Sequence, residues 1–244
     1  MHVRARRCPV PPVLLTLLVT WINERKSVKY ADKVVVLNKR DSDSLAAFYD
    51  RNSDEILPLC IDDRFDVDKV VKFNTSKIGA FIGSNFYANN KGIKWFCENV
   101  SNRLNCPILI VGKGFENEKE YFSNFKNIRV IGTVDNVEDY YYNVDFIVSP
   151  IFDGSGMKTK TAEALMFGKT IFGTHEAFEG YDVDVSKVGA ICQTADDFVN
   201  AINDYDIAKS RFNEYSRKAY LERYSQQSIT SRLNVILSQS YNFI

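Results

Sequence analysis

From Lys77 onward the chain repeats one pattern: a short apolar run closed by Gly or Pro, a polar loop, then a stretch with helical spacing. The runs are IGAFIG (78–83), PILIVG (107–112), IRVI (128–131, followed by Gly132), DFIVSP (145–150), TIFGT (170–174) and VGAIC (188–192). Short runs rich in Ile, Val and Phe predict strands buried on both faces. After the first run, Ile93, Phe96, Cys97, Val100 and Leu104 recur at three- and four-residue steps, which predicts an amphipathic helix over 90–104. Further helices are predicted at about 136–142, up to Phe167, over 195–204, at about 206–223 and over 226–240. Gly168 is placed to end the fourth-run helix in the left-handed conformation. Alternating strands and helices dictate a parallel sheet, because each parallel return needs a crossover. The fold class is therefore α/β, a Rossmann-like parallel sheet with helices on both faces. Ligands of such sheets bind beyond the carboxyl ends of the strands. The rim loops at 83–91, 112–115, 132–136, 150–158 and 173–180 are the expected site.

Ahead of this region, KVVVL (33–37) reads as a buried strand and Asp41 as the cap of a helix to Tyr49. ILPL (56–59) leads into a polar, acidic stretch. The expected organisation is an atypical segment 1–30, the remnant of a first domain at 31–62, a linker at 63–76, the Rossmann-like domain at 77–205, and C-terminal helices at 206–244. Residues 1–30 carry six Lys or Arg and one Glu, so they hold +5 of a net charge of zero. The rest of the chain is mildly acidic, which excludes a general nucleic-acid binder. Arg4, Arg6 and Arg7 precede an apolar stretch from Val10 to Ile22. Two readings stand: a remnant of a larger domain, or a peripheral contact with a membrane surface. The stretch is too short for a spanning helix. Five cysteines, Cys8, Cys60, Cys97, Cys106 and Cys192, show no CxxC spacing and read as free thiols of a cytoplasmic protein. Two histidines far apart give no metal site.

The segment that carries most chemistry is SPIFDGSGMKTKTAEALMFGKTIFGT (149–174). A strand, a loop with Gly154, Ser155 and Gly156, and a helix follow one another there. The first amides of a helix lack internal partners and its dipole adds positive potential, so such a start suits a diphosphate. Lys158 adds a full charge where a cation is otherwise unfavourable. The competing reading is a Gly-rich turn with a solvated Lys. Glu163, further along the helix, is placed to accept hydrogen bonds from vicinal ribose hydroxyls. Its competing reading is a surface Glu paired with Lys160 or Thr159. Gly112-Lys113-Gly114 reads as a tight turn, and Lys91 as a second cation within reach of phosphate or solvent. His175 has no nucleophile elbow beside it.

Taken together, FIGSNFYANNKGIKWF, ILIVGKG, VIGTVDNVEDYY, DFIVSP and GSGMKTKTAEALMFGKTIFGT resemble, in order and spacing, the C-terminal domain of retaining GT-B glycosyltransferases of the group 1 or family 4 type. The resemblance implies a nucleotide-sugar donor, retained anomeric configuration, a glycan or lipid-linked acceptor in surface-polysaccharide assembly, and neither metal nor cofactor. It further implies that Glu163 holds the ribose, and that Ser155, Gly156, Met157 and Lys158 meet the diphosphate or sugar. By the same resemblance Gly83 and Lys91 flank the phosphates, and the backbone of Thr133 and Val134 meets the base. Such enzymes often carry two Glu eight positions apart; Ser155 stands where the first would be, which leaves the sugar contact unassigned. Most of the acceptor-side domain has no counterpart, so no catalytic residue is assigned. The alternative is a non-catalytic nucleotide-binding fragment, or a module that depends on a partner chain.

Overall fold

The computed structural model describes residues 12–69, 77–206 and 211–241. Its centre is a six-stranded, all-parallel sheet. The strands are β3 (Gly79–Ile82), β4 (Ile108–Val111), β5 (Ile128–Gly132), β6 (Phe146–Ser149), β7 (Thr170–Gly173) and β8 (Gly189–Ile191), in the spatial order β5-β4-β3-β6-β7-β8. The helices between them are α3 (Tyr87–Asn99), α4 (Lys119–Phe122), α5 (Glu138–Asn143), α6 (Thr159–Met166), α7 (Val185–Val188) and α8 (Ala195–Asp204). The strand order reverses between β3 and β6. That is the doubly wound arrangement, in which the loops after these two strands open a crevice between them.

Side chains alternate across the sheet and feed two cores. Phe81, Phe146, Val148 and Phe172 point to one face, where Ile93, Phe96, Phe198 and Ile202 of α3 and α8 cover them. Ala80, Ile82, Ile147 and Ile171 point to the other, under Tyr141, Ala162, Leu165 and Tyr220. This period of two explains why the strands read as continuous apolar runs in sequence. Gly168 ends α6 at φ +58°, where a side chain would also strike the ring of Phe212.

Before the sheet come α1 (Pro12–Tyr30), β1 (Val35–Val36), α2 (Lys39–Tyr49) and β2 (Glu55–Ile56). β1 and β2 pair in parallel as a separate two-stranded sheet. The expected strand at 33–37 is thus shorter, and the cap of α2 is Asn38, whose side chain accepts from the Asp41 amide at 2.8 Å. Val13, Leu14, Leu17 and Leu18 of α1 are exposed. Among the described residues no helix is long and apolar enough to cross a membrane. Residues 1–11, and 70–76 of the expected linker, lie outside the described residues.

The described part of that linker is tied down. The Arg217 guanidinium donates to both oxygens of Asp63 at 2.8 and 2.6 Å, and the Tyr220 hydroxyl donates to the Ile61 carbonyl at 2.8 Å. Both residues sit on α9 (Glu214–Arg223), which packs on α6 and leads to α10 (Gln226–Tyr241). The helix expected over 206–223 thus has its first turn at Glu214, capped by Asn213. Residues 207–210 are outside the described part.

Candidate functional site

A cavity of about 640 Å³ opens where β3 and β6 diverge, lined by residues from within 82–89 on one side and from within 151–163 on the other. This is the size range of small-molecule sites. The starts of α3 and α6 both face it, and neither has a side-chain cap: the capping positions are held by Phe86 and Lys158. Their first amides add positive potential to the crevice. Helix α6 begins at Thr159, and its Ala162 amide is already bonded to the Tyr181 hydroxyl at 3.1 Å. The donors left for a ligand are therefore those at the very start.

Gly83, Ser155, Met157, Lys158 and Glu163 all line the cavity. Gly156 lies among them at φ +64°, with open space where a side chain would be. Lys91 stands at the margin, paired with Asp153, a lining residue. Thr133 and Val134 are not among the lining residues. The Thr133 amide and hydroxyl donate to the Glu116 carboxylate at 3.2 and 2.9 Å, and Val134 packs against the core under α6. The structure thus gathers the residues expected beside the phosphates and leaves the 133–134 loop outside the cavity.

Lys158 is mostly buried and does not float in solvent. Its Nζ donates to Glu176 Oε1 at 2.7 Å and to the Gly156 carbonyl at 2.9 Å. Glu176 in turn accepts from the Arg40 guanidinium of α2 at 2.8 and 3.2 Å. Burial disfavours the Glu176 charge, but the bonds from Arg40 and Lys158 outweigh it and lower its pKa. Glu163 pairs with neither Lys160 nor Thr159. Its Oε1 accepts from Arg64 at 2.7 Å and its Oε2 from the Tyr141 hydroxyl at 3.1 Å. Burial, and then the neighbouring Glu163 charge, push the Tyr141 phenol well up.

The sequence marks Lys160 only as a neighbour of Glu163. It lines the cavity, donates to the Asn89 side-chain oxygen, and lies 4.7 Å from the centre of the Phe81 ring. Burial, reinforced by Lys158, lowers its pKa to about 7. The sequence did hold a signal: two lysines in the first turn of a helix oppose its dipole. Arg40, Arg64 and Glu176 had no such local signal. Among the described residues, no group of three His, Cys, Asp or Glu could hold a metal.

The family profile described as glycosyl transferases, group 1, matches residues 76–205. The chain belongs to the group 1 glycosyl transferases. Among curated protein sequences none matches. Solved structures share the fold of this group 1 glycosyl transferase at low identity. Sucrose-phosphate synthase from Thermosynechococcus elongatus superposes with a TM-score of 0.75 at 16% identity, covering 92% of this chain and 62% of its own. TarM from S. aureus gives 0.70 at 16%, covering 87% and 44%. HepE from Anabaena, in complex with UDP and glucose, gives 0.66 at 11%, covering 91% and 67%. The chain thus spans less than two thirds of the first two. At these identities the likeness speaks for the GT-B fold of the group.

Proposed function

We propose that the crevice binds the nucleoside diphosphate of a sugar nucleotide, and that the chain serves a retaining glycosyltransferase acting on a glycan or lipid-linked acceptor in surface-polysaccharide assembly. One juxtaposition carries this reading: Lys158 and Lys160 meet two helix starts without side-chain caps in the cavity at the sheet's switch point. Cations and amides fixed in place stabilise the charge that grows on a departing diphosphate. The lysines supply charge that a divalent ion supplies elsewhere, so binding is expected to survive EDTA. In this arrangement Gly83, Ser155, Gly156 and Met157 let the backbone approach the phosphates. Lys91 is within reach from the margin once it leaves Asp153. Glu163 accepts from the ribose, and the 133–134 loop, which leads into α5, takes the base.

The test is titration with UDP, GDP and ADP, followed by calorimetry and thermal unfolding. One of the three is expected to raise the melting temperature, since a ligand at a hundred times its Kd stabilises by about 2.7 kcal/mol. Lys158→Ala should weaken that ligand by about tenfold, the low end for a charge-assisted bond, because Glu176 already shares the ammonium. No shift with any of the three at millimolar concentration sinks the donor site. Nucleotide binding without sugar transfer to any acceptor would favour a non-catalytic module.

A further inference from the structure

Arg64 lies outside the family-matched region, on the segment that leads from β2 toward the sheet. Its backbone and its guanidinium both hold it there. Its amide donates to Met166 Sδ at 3.3 Å, one guanidinium nitrogen donates to Glu163 at 2.7 Å, and the other pairs with Glu138 of α5. It therefore bridges the helix that carries Glu163 and the helix that follows the 133–136 loop. Glu163 receives one donor on each oxygen, from Arg64 and from Tyr141. An ionised carboxylate has about four acceptor sites, so one on each oxygen stays open. Two open sites on a carboxylate fixed from both sides match the two hydroxyls of a ribose.

We propose that Arg64 is a positioning residue that presents the Glu163 carboxylate to the ribose of the bound nucleotide, and so sets the preference for ribose over deoxyribose. The inference rests on the donor-site reading above. Without Arg64, nothing from the 57–66 segment holds Glu163. Tyr141 alone then holds it, and the flexible side chain can turn its other oxygen toward Lys160, three residues back and also at the cavity. A carboxylate that must be reordered on binding pays conformational entropy, and the hydroxyl loses its defined partner. The Arg64 side chain is 40% exposed, and ion pairs of that exposure contribute little to folding. Replacing it should therefore alter recognition with little change in stability.

The experiment compares the tightest of UDP, GDP and ADP with its 2′-deoxy counterpart by calorimetry, in the full chain. Wild type is expected to prefer the ribonucleotide by about tenfold, the value of one hydrogen bond to a charged group. Glu163→Ala should bring the ratio close to one. Arg64→Met should bring it to within about threefold of one at an unchanged melting temperature, and Arg64→Lys, with a single donor tip, should fall between. A wild-type ratio in Arg64→Met, beside a lost ratio in Glu163→Ala, overturns the role of Arg64 and leaves the Glu163 reading intact. If Arg64→Met does not fold, Arg64→Lys decides: an undiminished ratio overturns the proposal. If Glu163→Ala keeps the wild-type ratio, or wild type shows none, the ribose reading falls and Arg64 falls with it.

Discussion

Lys160 holds its ammonium between the Phe81 ring and the Asn89 amide, with Lys158 adding repulsion and Glu163 attraction from the same helix. Its pKa lies near 7 in the folded chain against 10.5 in the unfolded chain. Between these values the unfolded chain binds the extra proton, so stability rises with pH across that window. The penalty for the buried charge is fully present below about 7 and fades as pH climbs toward 10.5. A diphosphate reverses the preference by supplying the missing counter-charge. Nucleotide binding is therefore expected to take up a proton above pH 7, with affinity falling by up to about tenfold per pH unit. Lys160→Arg, which stays charged, should flatten that profile. Titrations between pH 7 and 9 decide it: a flat wild-type profile means that Lys160 does not meet the phosphate. The contact of Lys160 with the Phe81 ring, 79 residues away, is carried by no local spacing.

At the scale of elements, α6 joins chemistry to core. Ala162, Leu165 and Met166 bury one side of the helix, while Glu163 and Lys160 reach the cavity from the other. Leu165→Ala should cost about 2–5 kcal/mol in urea unfolding, as for a fully buried Leu, and should weaken nucleotide binding in proportion to any loss of order in the helix. A loss below half a kcal/mol would contradict its place in the core. The central strands β3, β6 and β7 were legible because each buries both faces, so IGAFIG and DFIVSP could be read without knowing their neighbours. Helix α3 was legible by period, although it starts at Tyr87 and gives way at Ser101 to a tighter turn. Boundaries slipped where capping was unusual: Phe86 and Lys158 are not capping residue types, so neither helix start announced itself. The β1–β2 pair was half legible, since β2 has only Glu55 and Ile56 to show.

Across the whole molecule, the part ahead of the sheet is bound to it by long-range polar contacts that no window of sequence could reveal. Arg40 and Glu176 are 136 residues apart, Arg64 and Glu163 are 99, and Asp63 and Arg217 are 154. The Gly154–Lys158 run at the cavity was readable because it is consecutive in chain; the network around it was not. Hydrogen exchange should rank these layers. Amides of β3, β4, β6 and β7 are expected to exchange last, near the global unfolding free energy, and those of the exposed α1 first. Equal protection in α1 and β6 would contradict that hierarchy. The Arg40–Glu176–Lys158 chain has one more outcome. Glu176 already holds the ammonium of Lys158 at 2.7 Å, so under the donor-site proposal an arriving diphosphate competes with a resident carboxylate. In the proposed donor site the same carboxylate competes for the cation, so removing it by Glu176→Gln is expected to tighten nucleotide binding, read by calorimetry.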